Sequence, residues 1–151
     1  CVRRKPTEDE AALPLADFLR NKTFYIPHSL SIHHMLAHKF LTQLGLRPGM
    51  QGSGDIDVMF EVAAPVMMPE FVTDPGAAGF IVAEPLGTKS ISAGNAELMF
   101  LTGEMWESHP CCVVVLRQEL VDLLRQKQRQ ASDLELKRTW EQAIQTCGVG
   151  L

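Results

Sequence analysis

The sequence lacks several features that would assign it quickly to a class of protein. No apolar run approaches the roughly eighteen residues of a membrane-spanning helix, and none follows residues 1–6, so we expect neither a membrane span nor a signal peptide in this chain. The four cysteines form no CxxC pair, which argues against a disulfide scaffold. Basic residues are not in excess: 14 Lys and Arg against 18 Asp and Glu give a net charge of −4, which disfavours nucleic-acid binding.

Motifs of common enzymes are also missing. The sequence contains no GxSxG and no GK[ST] motif. The glycine-rich stretch 52–55 precedes a predicted strand rather than a helix, so it is a turn and not a phosphate-binding loop. Four glutamates could act as acid–base groups, but nothing in their sequence spacing predicts that any two of them act as a pair. They are Glu61, Glu84, Glu104 and Glu107. None of these motifs therefore indicates a catalytic site.

What is present is enough apolar material for one globular domain. At 46% hydrophobic and 21% charged residues, the 151-residue chain can bury a core, which excludes wholesale disorder. Short apolar runs alternate with helical patterns, which predicts an α/β fold. Several of these runs are apolar throughout, as in strands that are covered on both faces. The predicted strands are residues 23–27, 56–63, 79–83, 97–101 and 112–116.

Helical spacing of apolar residues predicts the helices between these strands. The longest begins near residue 30 and ends at Leu44, with Ser29 or Ser31 as N-cap and Gly45 after its end. Shorter helices are predicted at 65–72 and 85–93, and the tail has an amphipathic helix at 118–129 and a second one starting at Ser132. Together these elements predict a single α/β lobe over residues 1–151, a three-layer α/β/α arrangement of about five strands with helices on both faces.

The best candidate for a site is the strand, turn and helix start at residues 25–34. Ligands of open α/β sheets bind beyond the carboxyl ends of strands, where helix N-termini present free N–H groups. Ser29 and Ser31 add hydroxyls and several histidines add imidazoles, a donor set that suits a small oxyanion. A serine N-cap with solvated histidines explains the same residues without a ligand. His34 and His38 have a zinc-ligand spacing, but no third ligand is evident and we predict no metal site.

Two further positions are candidates on physical grounds. Glu84 directly follows an apolar strand and precedes Pro85, which places its carboxylate at a strand's carboxyl end. Trp106 is expected either to line a ligand pocket as an aromatic wall or to pack in the core.

Four segments resemble one known family, the substrate-binding proteins of nitrate, bicarbonate, sulfonate and taurine ABC importers. The segments are KTFYIPHSLSIHHML at 22–36, LGLRP at 44–48, GFIVAEPLG at 79–87 and GEMWESHPCCVVV at 103–115. The first, third and fourth are specific in combination, and their order and spacing fit. The resemblance covers about residues 15–125, and the helical tail 126–151 does not match well.

The resemblance implies the second lobe of a type II periplasmic-binding-protein fold, in which a ligand is held in a cleft between two lobes. The first lobe of the same protein would lie outside this chain. Residues on the cleft are then expected to bind the ligand, with His33 rather than its neighbour His34 facing it, because adjacent helical residues point about 100° apart. The expected ligand-binding residues are Ser31, His33, Gly79, Glu84, Trp106 and Cys111.

The same resemblance implies a binding protein rather than an enzyme, with no cofactor and with a small anionic solute as ligand. Its implied partners are the membrane subunits of an ABC importer, and its implied location is periplasmic or extracytoplasmic, at the membrane through the importer. Homodimerisation through the exposed cleft face is a further expectation. Two departures stand out: nitrate- and bicarbonate-specific members carry a charged residue just after the HP pair, where this chain has Cys111 and Cys112, and the helix before residue 79 is altered. Two alternatives stay open, a cytoplasmic anion sensor on the same fold and an enzyme resembling thiamin-pyrimidine synthases.

Overall fold

The computed structural model of the protein describes residues 1–110, 117–130, 134–135 and 138–139. The chain divides into two compact units, Cys1–Cys111 and Cys112–Leu151. The prediction of a single lobe over the whole chain stays a prediction. Of the helices in the described ranges, none has both the length and the apolar character needed to cross a membrane.

The first unit is built on one mixed sheet of six strands in the order β3-β4-β2-β5-β1-β6. Strands β3, β4, β2 and β5 run parallel to one another, whereas β1 is antiparallel to both β5 and β6. The strands are β1 (Val2–Arg4), β2 (Lys22–Ile26), β3 (Pro48–Met50), β4 (Val58–Val62), β5 (Ala77–Phe80) and β6 (Ala96–Leu98). The central strand β2 therefore has parallel partners on both sides, the arrangement that continuous apolar runs predict.

Helices connect these strands and cover both faces of the sheet. In chain order they are α1 (Leu15–Leu19), α2 (Ile32–Gln43), a 3₁₀ turn (Pro65–Met67), α3 (Met68–Phe71), α4 (Leu86–Ser92) and α5 (Thr102–Met105). One apolar cluster joins α1 and α2 to Phe24 and Ile26, and a second joins α3 to Val2 and Phe80, with Tyr25 packed against it. Because successive side chains of β2 enter different clusters, the two clusters lie on opposite faces.

The longest described helix of the first unit, α2, forms where the sequence predicts it. Ser31 is the N-cap: its side-chain oxygen accepts a hydrogen bond from the backbone N–H of His34 at 3.1 Å. Leu36, Ala37 and Leu41 face the core, and Gly45 follows the helix with a φ of 75°, a left-handed conformation that glycine adopts without strain. The helix therefore has defined ends and a fixed orientation on the sheet.

Four predicted strands are confirmed with shifted boundaries, and the fifth, residues 112–116, lies outside the described residues. The helices around residues 65–72 and 85–93 are also confirmed, and residues 52–55 form a turn. Two strands were not predicted, so the sheet has six strands where about five were expected. One, β1, is short and carries two arginines, and the other, β3, contains the Pro48-Gly49 pair that favours a turn.

The edge of the sheet opposite the candidate site carries a charge network. The Arg4 side chain is buried, and its guanidinium donates to the backbone oxygen of Ala77 at 3.2 Å and to the Glu10 carboxylate at 2.6 Å. Lys22 Nζ donates to the same carboxylate at 2.8 Å and lies 3.9 Å from the centre of the Phe18 ring. These donors hold the pKa of Glu10 far below its usual range. The network fastens residues 7–10 to the ends of β1 and β2.

The second unit contains one long described helix, α6 (Gln118–Gln130), in agreement with the prediction for residues 118–129. Its first turn is supported by a hydrogen bond from the Gln118 side-chain amide to the Asp122 carboxylate at 2.9 Å, an i,i+4 pair. Residues 134–135 and 138–139 are also helical, while the predicted cap at Ser132 lies outside the described residues.

Candidate functional site

Strand ends and helix starts meet at the carboxyl edge of the parallel strands. Strand β2 ends there at Ile26 and leads through residues 27–31 into α2, and β5 ends at Phe80. Because β1 is antiparallel to β5 and β6, its first residue lies at the same edge: Val2 pairs with Phe80 and Leu98. Backbone bonds from Cys1 N to Phe100 O and from Met99 N to Cys1 O, both 3.1 Å, extend this pairing. The edge is thus built from four separate parts of the chain.

The start of α2 offers backbone donors at this edge. Ser31 Oγ accepts from the His34 N–H and itself donates to the His28 carbonyl oxygen at 2.7 Å, so the hydroxyl is held between two backbone groups. The N–H groups of Ile32 and His33 belong to the first helical turn, which has no intrahelical acceptors for them. The helix dipole adds a partial positive charge at the same point. Ser31 therefore shapes the helix start, and its expected contact with a ligand stays a prediction.

His33 is half-buried beside this helix start. Its pKa is lowered, first by burial. His109 and the Cys1 nitrogen also act on it electrostatically, and Glu84 and Glu104 act on the Cys1 nitrogen. These groups therefore lie around one small region. A neutral imidazole has one N–H donor and one acceptor.

His34 is held away from His33 by its own contacts. Its Nδ1 lies 2.6 Å from the carbonyl oxygen of Ser29, and its ring packs edge-on against Phe60 with ring centres 4.7 Å apart. Its ring also meets that of His38 at 6.4 Å, as the one-turn spacing predicts. The two neighbouring histidines therefore have different surroundings, although the assignment of His33 to the ligand stays a prediction.

Glu84 lies at the carboxyl edge but is already engaged. Its Oε2 accepts a hydrogen bond from the backbone N–H of Thr88 at 3.0 Å, in the first turn of α4. Glu104 does the same at the start of α5, accepting from the Leu101 N–H at 2.9 Å. Each carboxylate thus lies at a helix start, where the positive end of the helix dipole partly compensates its charge.

Gly79 is buried inside the sheet between β1 and β2. A Cβ atom at this position would lie 2.2 Å from the Val2 carbonyl oxygen and 2.8 Å from Arg3 Cα. Close approach of two backbones therefore explains this glycine without a ligand. Its expected contact with the ligand stays a prediction.

Trp106 follows α5 and is 43% exposed, so it is not a core residue, which leaves the aromatic-wall interpretation open. Its carbonyl oxygen lies 3.3 Å from the backbone N and 3.0 Å from Nδ1 of His109, which fixes the turn between them. His109 is close enough to His33 to affect its pKa. It was not among the predicted site residues, although it belongs to the HP pair of the fourth matching segment. Cys111 lies outside the described residues.

A cavity of ≈ 580 Å³ opens next to the candidate site, beside the first turns of α2. His34 and His38 line it, but His33 does not, and the lining also includes Ser29, Ser31, Met35 and Lys39. Within the described ranges, no group of three His, Cys, Asp or Glu side chains is placed to hold a metal ion.

The mixed sheet with helices on both faces defines an α/β fold, and comparison with known proteins gives the family of the chain. The profile of the NMT1-like family matches residues 7–142, and the chain belongs to that family. Among solved structures it is similar to the ligand-binding component of an ABC-type import system from Staphylococcus aureus, determined with zinc bound. The identity is 26%, the TM-score 0.64, and the match covers 83% of this chain and 40% of that one. No curated protein matches the chain.

These findings confirm the resemblance to ABC-importer substrate-binding proteins and the predicted α/β fold. The chain spans about two fifths of the length of the solved relative.

Proposed function

We propose that this chain is a solute-binding lobe of an ABC importer receptor for a small oxyanion or organosulfonate. The solute is of the nitrate, sulfonate, taurine and bicarbonate class and binds in a cleft between this lobe and a second lobe of the same receptor. The observation that carries the proposal is the start of α2, where the Ile32 and His33 N–H groups and the His33 imidazole share one edge. The match to 40% of an import component supports it, since one lobe of a two-lobed receptor has about that length.

The chemistry of this edge favours an anion. Two backbone N–H groups and a neutral imidazole can donate hydrogen bonds to an oxyanion, and the helix dipole adds a partial positive charge. None of these groups carries a full positive charge. The nearby carboxylates of Glu84 and Glu104 accept hydrogen bonds from helix starts, so their charges are partly compensated. Half of the donors would come from the second lobe, and closure between lobes would exclude water from the contacts.

Within this solute class, the sequence favours an organosulfonate. Nitrate- and bicarbonate-specific members of the resembling family carry a charge just after the HP pair, where this chain has Cys111 and Cys112. A sulfonate has three oxygens that accept hydrogen bonds, and its organic part needs an apolar surface to pack on. Trp106 can provide this surface, because its aromatic side chain is exposed and lies near His109.

The partners that follow from this proposal are the importer's membrane subunits, and the receptor acts outside the cytoplasm. No catalytic step is proposed: the Ser31 hydroxyl is bound to backbone groups on both sides and has no base to activate it. Homodimerisation through the carboxyl edge would compete with closure of the second lobe on that edge.

The test is calorimetric titration of the complete receptor with nitrate, bicarbonate, taurine and methanesulfonate at constant ionic strength, in parallel with this chain alone. We expect the complete receptor to bind at least one sulfonate and to stimulate ATP hydrolysis by its importer in liposomes. If the receptor binds a solute saturably but does not stimulate ATP hydrolysis by the importer, the importer role is wrong and the result favours a sensor. Turnover of a bound cofactor, or no binding of any of the four anions, would overturn the proposal.

A further inference from the structure

We propose that His34 and His38 form a two-histidine site for a divalent transition-metal ion of the Zn²⁺ or Cu²⁺ type, in the cavity beside α2. The two residues are one helical turn apart and line the same cavity of ≈ 580 Å³. From spacing alone no metal was predicted, because a third ligand was not evident. The structure adds three points that sequence spacing cannot give. They are the tautomer of His34 that its hydrogen bond requires, the packing of both imidazole rings on Phe60, and the distance between the two imidazole rings.

The tautomer of His34 leaves a metal-binding nitrogen free. A carbonyl oxygen only accepts hydrogen bonds, so the 2.6 Å contact with Ser29 O requires the proton on Nδ1. The lone pair of the neutral ring is then on Nε2. Metal-ligating histidines commonly have their second nitrogen anchored to a carbonyl oxygen in this way, which fixes the ring and raises its basicity. In His38 it is also Nδ1 that faces a polar neighbour, Thr42 Oγ1 at 3.5 Å.

The Phe60 ring packs against the imidazole rings of both His34 and His38. His34 meets it edge-on with ring centres 4.7 Å apart, and His38 stacks on it at 6.4 Å with an angle of 29° between planes. Phe60 is itself buried in β4, so this support is rigid. The two rings are therefore placed by the sheet as well as by the helix.

The distance between the rings is close to what a shared ion requires. Their centres are 6.4 Å apart. Two rings on one tetrahedral ion have centres roughly 5 Å apart for a Zn–N distance of about 2.0–2.1 Å, so an approach of about 1 Å is needed. His38 is exposed and can make this movement by a small side-chain rotation. Water would complete the coordination, which makes the site weaker than a four-ligand structural site.

Lys39 lines the same cavity, and its positive charge opposes a bound cation. The site therefore depends on nitrogen ligands that suit Zn²⁺ and Cu²⁺, and hard cations such as Mg²⁺ and Ca²⁺, which require several oxygen ligands, are not expected to bind. This inference is independent of the proposed function, because it needs neither a solute nor a second lobe.

The experiment is titration of the protein with Zn²⁺ by calorimetry, in a background in which all four cysteines are replaced by serine to remove thiolate binding. We expect one ion per chain, a rise in the midpoint of thermal unfolding with added Zn²⁺, and no response to Mg²⁺. His38→Ala changes an exposed side chain and should weaken binding about tenfold or more. His109→Ala is the matched control and should leave it unchanged.

His34→Ala should lose as much affinity as His38→Ala, and the double variant no more than either, because the two rings hold one ion. Thermal unfolding of each variant without metal shows that it folds. The proposal is overturned if His38→Ala binds Zn²⁺ as tightly as the parent, or if His109→Ala loses as much.

Discussion

Replacing His33 with alanine should weaken solute binding by the complete receptor. The half-buried imidazole belongs to the first turn of α2, and burial lowers its pKa, which favours the neutral ring. Under the proposed function this ring donates a hydrogen bond to the anionic solute. A hydrogen bond with one charged partner contributes about 1.5–3 kcal/mol, which corresponds to a loss of affinity of about tenfold to a hundredfold. His34→Gln should change affinity little, because the His34 ring already donates to Ser29 and glutamine keeps a donor there.

The assay is calorimetric titration of both variants with the solute that the unmodified receptor binds best. A chelator in the buffer keeps metal ions off His34 and His38, so that only the anion is measured. His38→Ala serves as a second control on the same helix. Comparable losses for His33→Ala and His34→Gln, or a larger loss for His34→Gln, would refute the assignment of His33 to the solute.

Three predictions concern stability and are checked by chemical or thermal unfolding of the chain. Gly79→Ala should cost about 3 kcal/mol or more, since its Cβ would lie 2.2 Å from the Val2 carbonyl oxygen; a neutral result would mean that β1 is not paired there. Ser31→Ala should cost about 1 kcal/mol through loss of the α2 cap, and Ser31→Gly less. Glu10→Gln should cost about 1–2 kcal/mol at pH 7, because it removes the partner of buried Arg4.

The Glu10 effect has a defined pH dependence. The pKa of the folded carboxyl is lowered below the ordinary value of 4.5, so its contribution to stability is complete above that pH and is lost as pH falls below it. The difference between Glu10→Gln and the parent should therefore shrink as the pH is lowered from 5. A difference that stays constant down to pH 3 would show that packing, rather than charge, causes it.

Sequence patterns predicted the elements whose stability is local or that are deeply buried. Helix α2 was predicted with Ser29 or Ser31 as its cap, of which Ser31 is the one observed, and with Gly45 after its end. Capping and left-handed glycine can be predicted because they are properties of a few neighbouring residues. Strand β2 was predicted because both of its faces are covered, which leaves a continuous apolar run. In contrast, β1 is a strand because it pairs with β5, and β3 is a strand because it pairs with β4. A local sequence pattern cannot predict pairing that depends on residues elsewhere in the chain.

The same distinction applies to the candidate site. Matching motifs and helix geometry pointed to the start of α2, to Glu84 and to Trp106. They could not predict that Glu84 accepts from Thr88, or that Phe60, 26 residues after His34, supports its ring. The proximity of His33, His109 and the first residue of the chain depends on the direction of β1, which only the three-dimensional structure supplies.

The position of β1 in the sheet has a consequence for folding kinetics. This strand is near the start of the chain, yet it lies between β5 and β6, which pair with it from about 75 to 95 residues further on. Contacts between such distant residues are slow to form because a long loop must close first, whereas β2, β3 and β4 are much closer along the chain. The parallel part of the sheet can therefore assemble early, and insertion of β1 is a late step. Until that step, β5 has an open edge that another chain can pair with, so this lobe is most prone to aggregation while β1 is unpaired.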